Sequence, residues 1–254
     1  MVLTFLHKKT KGDERSNTTA SLAVDVNAHV LPGLDNGAET EDESLALMMA
    51  LQARGFRKLI ATPHVMETYY PNSTERILAK LERMRVLARQ HGLSITLDAA
   101  AQYYLDESLL SQLRQRIPLL TFVPRQGSIR YLLFETSFVV APVHLLGTVE
   151  DMIRQGYTPV LAHPERCLYL QKDRDLLREL HRRNVLFQVD INSLTGYNSR
   201  NAQRLAEWLI EQNLVYFLGS DCHRRPQLDV LDVARDLPYY HHAIKLGLLN
   251  NTLL

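Results

Sequence analysis

The sequence predicts an α/β fold built on a parallel β-sheet, and two observations support this prediction. After residue 20, seven short apolar runs alternate with longer segments whose apolar residues recur at helical spacing. A glycine or asparagine often stands between a helical segment and the next apolar run, as at helix C-termini. Repeated strand–helix units favour a parallel sheet, and both a closed barrel and an open doubly wound sheet fit this pattern.

The seven predicted strands share an apolar composition and are four to six residues long. They are residues 22–26, 58–61, 94–99, 131–134, 158–162, 185–189 and 215–218. Among the helical segments, one places Ile77, Leu81 and Met84 on a single face. Thr40 and Glu43 have the spacing of a capping box at a helix N-terminus. Helix C-termini are predicted at Gly55, Gly92, Gly156, Asn184 and Asn213.

The chain divides into a leader and one domain. Residues 1–20 include the charged, polar stretch KKTKGDERSNTT and are predicted to be a mobile leader. An alternative use of the apolar residues 1–6 is a small hydrophobic anchor that docks elsewhere. After residue 20 no stretch has the composition of a domain linker, so residues 21–254 are predicted to form a single domain.

Composition and charge exclude several classes of protein. The formal net charge of +1 gives no support to a nucleic-acid or membrane-surface partner. No apolar run reaches the length of a membrane span. The two cysteines, Cys167 and Cys222, form no disulfide framework and suit the cytoplasm. Neither begins the Cys-x5-Arg loop of cysteine-dependent phosphatases.

Polar residues follow each predicted strand at its C-terminal end. They are Asp25, Asn27, His29, His64, Gln102, Glu135, His163, Glu165, Arg166, Asp190, Asp221 and His223. If the strands form a parallel barrel, these residues meet on the face where active sites assemble. A single histidine at a strand end is usually structural. Four histidines with several carboxylates instead favour a site for zinc, manganese or iron.

Arg166 has two interpretations from sequence. Its planar guanidinium suits a pair of phosphate oxygens. A salt bridge to Glu165 or Asp173 is an equal alternative. Asp190 is interpreted as orienting a histidine or capping a loop.

Several ordered motifs resemble those of the PHP superfamily, and specifically its bacterial tyrosine-protein phosphatases of capsular and exopolysaccharide operons. The motifs are DVNAH at 25–29, LPGLDNGA at 31–38, ATPH at 61–64, AHPER at 162–166, SLTG at 193–196 and GSDCH at 219–223. They extend from about residue 22 to about residue 235. Ordered motifs at compatible spacing are more specific than any single short pattern.

The resemblance implies a distorted TIM-like (β/α)7 barrel and a cluster of three divalent metals, with manganese expected. The implied ligand sets are Asp35, His64 and His223; then Glu135 and His163 with Gln102; then Asn27 and Gln102 with His29 and Asp221. The implied catalytic residues are Arg166, His163 and Asp221. Two ligands depart from the family pattern, because Asn27 replaces a histidine and Gln102 replaces the bridging glutamate.

The resemblance further implies hydrolysis of phosphotyrosine in a protein, such as the tail of a bacterial tyrosine kinase that controls polysaccharide export. Asn27 and Gln102 raise a different hypothesis, in which the chain is an inactive pseudophosphatase that binds and regulates a partner. A third hypothesis is a related enzyme acting on a small phosphate ester such as histidinol phosphate. The LPGLD and HPER segments favour the tyrosine-phosphatase branch over this third alternative.

Overall fold

The computed structural model describes residues 22–254, so the predicted leader at 1–20 lies outside the described residues. Within this range the strands are β1 Val24–Ala28, β2 Lys58–Ala61, β3 His64–Val65, β4 Thr96–Ala99, β5 Gln102–Tyr104, β6 Arg130–Glu135, β7 Tyr157–Ala162, β8 Leu186–Asp190 and β9 Val215–Gly219. The α-helices are α1 Glu41–Ala53, α2 Thr74–Gln90, α3 Glu107–Arg114, α4 Leu145–Arg154, α5 Leu168–Lys172, α6 Arg174–Arg182, α7 Arg200–Glu211, α8 Pro226–Arg235 and α9 Pro238–Lys245. Short 3-10 helices lie at Pro164–Arg166, Ile191–Thr195 and Asn250–Leu253.

All pairings between these strands are parallel, as predicted. One sheet has the order β1-β2-β4, and the other has the order β3-β5-β6-β7-β8-β9. Each predicted apolar run contains a strand, whereas the two short strands β3 and β5 were not predicted. They continue β2 and β4 after breaks of two residues. Pro63 lies in the first break, where it has no N–H to donate to a ladder.

The first and last strands, β1 and β9, meet beside the residues predicted to form the site. Ala28 forms an isolated parallel bridge with Cys222, beyond the end of β9. His29 N donates to Cys222 O at 3.0 Å, and Asp221 N donates to Asn27 O at 2.9 Å. With β2–β3 and β4–β5 each counted as one interrupted strand, the fold is a distorted (β/α)7 barrel of parallel strands.

The strands are buried on both faces, which explains why they read as continuous apolar runs. Val24 and Val26 of β1 pack in one cluster with Leu133, Val160 and Phe217. A larger apolar cluster contains the alternate residues of several strands together with the buried faces of the helices. Alternation of side chains along a strand therefore places one set inside the barrel and the other against the helices.

The predicted helix ends are confirmed. Thr40 caps α1, because its hydroxyl accepts from Glu43 N at 3.2 Å. The Glu43 carboxylate accepts from Glu39 N at 2.8 Å rather than from Thr40, so the capping box is only half formed. The residues after the helices have positive φ angles, namely Gly55, Gly92, Gly156, Asn184 and Asn213. None of the helices in residues 22–254 has the length and apolar composition needed to cross a membrane.

Candidate metal centre

Three histidines from distant parts of the chain meet at the C-terminal ends of the strands. His29 follows β1, His64 begins β3, and His223 follows β9. The rings of His29 and His223 stack with centroids 3.8 Å apart, and His64 lies 4.6 Å from His29 and 5.9 Å from His223. One ring nitrogen of each histidine lies within 4.8 Å of the other two. This spacing brings three imidazole donors within reach of one cation.

The Nδ1 atom of each of these rings faces an oxygen that can only accept a hydrogen bond. The three pairs are His29 with Asp35 Oδ2 at 2.6 Å, His64 with Glu135 Oε1 at 2.7 Å, and His223 with the Asp221 carbonyl at 2.8 Å. Each Nδ1 therefore carries a hydrogen, which leaves Nε2 as the ring atom that can bind a cation. Within residues 22–254, the buried Nε2 atoms of His29 and His223 have no hydrogen-bond partner. Metal-binding imidazoles have this arrangement, so these histidines fit a divalent metal.

Asp35 organises the loop beneath this group. Its carboxylate accepts from His64 N at 3.0 Å and from Gly37 N at 2.9 Å, in addition to the His29 ring. Burial opposes ionisation of Asp35, but the neighbouring His29 outweighs it and holds the pKa of Asp35 well below its usual range. Burial likewise opposes charge on His29, yet Asp35 and Asp221 raise the pKa of His29 to about 10, so a cation that binds at its Nε2 displaces a proton. In this structure Asp35 orients the histidines.

Gly37 is needed because the loop touches the backbone of His29. A Cβ atom at position 37 would lie 2.2 Å from His29 O and 3.0 Å from the Asp35 carboxylate. Ala38 N donates to His29 O at 3.2 Å, so the loop cannot move away without breaking this bond.

We expect Gly37→Ala to destabilise the fold by about 1–3 kcal/mol through overpacking. Displacing Asp35 should also weaken divalent-metal binding by about 10–100-fold, the usual effect of losing a group that orients a ligand. Chemical denaturation and metal titration measure the two effects. Gly147→Ala is the matched control, because a Cβ at this position in α4 meets nothing within 4 Å. Equal metal affinities for the two variants would contradict this role of Gly37.

A second group lies next to the first. The Nε2 atom of His163 lies 3.0 Å from the amide nitrogen of Gln102 and 3.6 Å from Glu135 Oε2. Burial, followed by the positive charge of Arg166, lowers the pKa of His163 to about 4. His163 is therefore neutral at pH 7. The same carboxylate, Glu135, contacts both His163 and His64, so the structure brings these three predicted ligands together.

Arg166 forms ion pairs different from those proposed from sequence. Its Nη1 lies 2.8 Å from Asp221 Oδ2 and 3.4 Å from Asp190 Oδ2. The alternative of a salt bridge to Glu165 or Asp173 is wrong for the described residues. The Glu165 carboxylate accepts from Asp190 N and the Ser193 hydroxyl, while Asp173 caps α6. The expected roles of Asp190 as a histidine orienter or a loop cap are also wrong, because its carboxylate pairs with Arg166.

Aromatic and basic side chains surround these groups. The guanidinium of Arg166 lies 4.5 Å from the ring centroid of Phe138, which is 5.4 Å from that of His163. On the other side, Tyr70 stacks on His64 with centroids 5.7 Å apart. A cavity of about 340 Å³ opens beside His223, and its wall includes Arg224 and Arg225. A cavity of this volume is within the range of small-ligand sites.

The side chain of Asn27 forms its hydrogen bonds with residues other than the three histidines. Its Oδ1 accepts from the Thr62 hydroxyl at 2.7 Å, and its Nδ2 donates to Gln188 Oε1 at 3.2 Å. Gln188 in turn donates to Asp190 Oδ1 at 3.1 Å. Thr62 and Gln188 were not predicted as site residues. Gln188 carried a signal, because it is the polar residue within the otherwise apolar run LFQV.

The remaining polar residue of the first strand end, Asp25, lies beneath the site. Its carboxylate accepts from the backbone N–H and the hydroxyl of Ser220. Burial raises the pKa of Asp25 to about 6. Asp25 thus connects β1 with the loop that carries Asp221 and His223.

Fold and site together define an α/β-barrel protein with a histidine–carboxylate centre at the C-terminal ends of its strands. Residues 23–230 match the family described as capsular polysaccharide synthesis, CpsB/CapC, and the chain belongs to this family. This membership confirms the resemblance predicted from the motifs.

Individual relatives and solved structures agree with the family. The chain is 27% identical to CapC of Staphylococcus aureus over 91% of this chain and 90% of that protein. It is also 27% identical to the tyrosine-protein phosphatase YwqE of Bacillus subtilis, over 79% of this chain and 77% of that protein. A crystal structure from work on YwqE and CpsB of Streptococcus pneumoniae, described as metal-dependent tyrosine phosphatases, superposes with a TM-score of 0.78. That match has 23% identity and covers 91% of this chain and 94% of that one.

A more distant structure shares the fold. The histidinol phosphate phosphatase of Lactococcus lactis superposes with a TM-score of 0.53 and 12% identity, covering 89% of this chain and 94% of that one. At this level of identity the match supports the barrel fold.

Proposed function

We propose that this chain is a metal-dependent phosphatase that hydrolyses phosphotyrosine in a protein substrate. The observation that carries the proposal is the group of His29, His64 and His223, whose ring nitrogens converge next to Arg166. The relatives YwqE of Bacillus subtilis and CpsB of Streptococcus pneumoniae, both named tyrosine-protein phosphatases, support the reaction. The rings of Tyr70 and Phe138 flank the site and suit an aromatic substrate side chain.

The finer parts of the proposal follow the family resemblance. Manganese is the activating ion, and the substrate is a phosphotyrosine tail of a bacterial tyrosine kinase in capsule or exopolysaccharide synthesis. The reaction takes place in the cytoplasm, in agreement with the two cysteines, Cys167 and Cys222, which are both buried and free. Imidazole and carboxylate donors of this kind suit manganese, iron and zinc.

Different residues of the chain have different proposed roles in hydrolysis. The chemistry that a divalent cation supplies, when held by His29, His64 and His223, is Lewis-acid polarisation of a phosphoryl oxygen. Arg166 offers a planar set of N–H donors that stabilises the negative charge on the other phosphoryl oxygens. Asp221 holds this guanidinium at 2.8 Å, and its other oxygen lies 3.5 Å from His29 Nε2. Asp221 is thus placed to align Arg166 with the histidine group.

His163 is placed to act as a neutral acceptor. Its lowered pKa of about 4 leaves it uncharged at pH 7, and its Nε2 faces Gln102 and Glu135. A neutral imidazole can hold a proton of the substrate or of water at Nε2 once that nitrogen is released from the Gln102 amide. Glu135 stays ionised, because burial is outweighed by its hydrogen bond from His64, which keeps the pKa of Glu135 low.

The test is hydrolysis of a phosphotyrosine peptide with added Mn²⁺, compared with phosphoserine peptide and L-histidinol phosphate. We expect release of phosphate from the phosphotyrosine peptide, and loss of that activity after chelation. His64→Ala should reduce the rate to the background, because it removes a proposed ligand. His144→Ala, at an exposed histidine outside the site, should retain the wild-type rate.

Equal rates for wild-type protein and folded His64→Ala would overturn the proposed reaction. The second candidate function would then gain support: a family member that binds a phosphoprotein without turnover. The engaged side chain of Asn27 is the observation that favours this candidate. Preferential hydrolysis of L-histidinol phosphate would point instead to a small phosphate ester as substrate.

A further inference from the structure

We infer that this chain holds one divalent cation, bound by His29, His64 and His223, where the family resemblance implies three. The inference deepens the proposed function, and it rests on the metal site of that proposal. Two amide side chains, Asn27 and Gln102, stand where the resemblance expects metal ligands. Both are fully buried and uncharged. Both polar atoms of the Asn27 amide are hydrogen-bonded, whereas Gln102 contacts His163 through Nε2 and its Oε1 has no hydrogen-bond partner among the described residues.

Asn27 has no freedom to turn toward a metal. Its oxygen accepts from Thr62 and its nitrogen donates to Gln188, at 2.7 and 3.2 Å. The backbone of β9 closes the remaining space: a Cβ atom built on Gly219 would lie 2.8 Å from Asn27 Cβ and 2.7 Å from Gln188 Nε2. Turning the amide would break two buried hydrogen bonds, and leaving buried polar groups unpaired is unfavourable.

Gln102 replaces a second residue that the family resemblance expects to be a metal ligand. Its Nε2 faces His163 Nε2 at 3.0 Å, and an amide nitrogen can only donate, so the imidazole lone pair is occupied. A histidine whose Nε2 accepts this bond does not offer that atom to a cation. Glu135 has one oxygen engaged by His64 Nδ1, and it acts there to orient that ring.

The balance of charge also disfavours three cations. The acidic side chains that pair with the site histidines or with Arg166 are Asp35, Glu135, Asp190 and Asp221. They carry at most four negative charges, of which Arg166 offsets one. Three divalent cations would bring six positive charges into a buried region with a low local dielectric. With a net charge of −3 from these side chains, one divalent cation leaves −1, two leave +1 and three leave +3. Charge therefore disfavours three ions, and the uncharged Gln102, which cannot bridge two ions as a carboxylate does, disfavours a second.

The experiment counts bound metal. Protein stripped by chelation is brought to equilibrium with Mn²⁺ by dialysis, and metal per chain is measured by atomic emission. We expect about one ion per wild-type chain, as a site with three protein ligands holds. His64→Ala and His223→Ala should each lose it. His163→Ala should retain it, as should the control His144→Ala, whose histidine is exposed.

A restoring variant tests the cause. Gln102→Glu returns a carboxylate between Glu135 and His163, and we expect the metal count to rise above one. Asn27→His adds to this if the variant folds, which circular dichroism checks. An unchanged count in folded Gln102→Glu would overturn the role assigned to that amide.

The inference and the proposed function fail in different ways. Wild-type protein that binds two or three ions, or that loses an ion in His163→Ala, overturns the inference, whether or not phosphotyrosine is hydrolysed. Wild-type protein that binds none also overturns it. One bound ion without hydrolysis leaves the inference standing and counts against the proposed reaction.

Discussion

Replacing Arg166 with alanine is expected to lower kcat/KM for a phosphotyrosine peptide by about 10²–10³-fold, the usual effect of removing one donor that stabilises transition-state charge. Asp221 connects the guanidinium to the histidines proposed to bind the metal, and the ring of Phe138 also contacts the guanidinium. Arg166→Lys keeps the charge but loses the planar pair of donors, so its rate should fall between wild type and Arg166→Ala.

The stability of each variant must be measured together with its rate, because Arg166 also neutralises the charge of buried carboxylates. Without it, Asp190 and Asp221 lose their ion-pair partner. Thermal unfolding of each variant separates this effect from catalysis. Arg178→Ala is the matched control, since Arg178 forms an exposed pair with Asp175 on α6, which contributes little stability. A folded Arg166→Ala variant with wild-type kcat/KM would contradict a phosphate-binding role.

Asn250→Ala is expected to lower the free energy of unfolding by about 3 kcal/mol or more. Asn250 is fully buried, and its side chain joins the start of β1 to β9. Its Nδ2 donates to Val24 O at 2.9 Å and to Leu218 O at 2.7 Å, while its Oδ1 accepts from Leu218 N at 3.0 Å. Alanine leaves three buried backbone groups without this partner, at about 1–3 kcal/mol each.

Urea denaturation measures this loss. Asn250→Asp keeps an acceptor for Leu218 N but loses both donors, so it should also destabilise the protein. Asn201→Ala is the control, because Asn201 is exposed on the first turn of α7 and surface changes typically stay within about 0.5 kcal/mol. If Asn250→Ala lost no more than Asn201→Ala, Asn250 would not hold the two strands together.

Local patterns predicted the elements well because their causes are local. An apolar run buried on both faces, a threonine cap at α1 and a positive φ at Asn184 or Asn213 each depend on a few neighbouring residues. The short strands β3 and β5 were missed for the opposite reason. His64–Val65 is two residues long, and it is a strand only because Gln102–Tyr103 lies beside it.

The candidate site was predicted in part. Strand ends in a parallel fold converge, so the histidines at 29, 64 and 223 could be placed near one another from sequence. The resemblance nevertheless assigned His29 to a different metal from His64 and His223. The hydrogen-bond and ion-pair partners of the site residues could not be predicted from sequence. Asp35 bonds the His29 ring, Arg166 pairs with Asp221, and neither relation follows from spacing.

The amino-acid sequence by itself determined the parallel α/β fold, the positions of the caps and the set of residues at the strand ends, because burial periodicity and chain geometry act locally. Only the tertiary structure decided which side chains share a hydrogen bond. Asn27 is engaged by Thr62 and Gln188, and Asn250 joins β1 to β9. A hydrogen bond requires two atoms within about 3 Å. For residues 161 or 226 positions apart, only the packing of the whole barrel sets that distance.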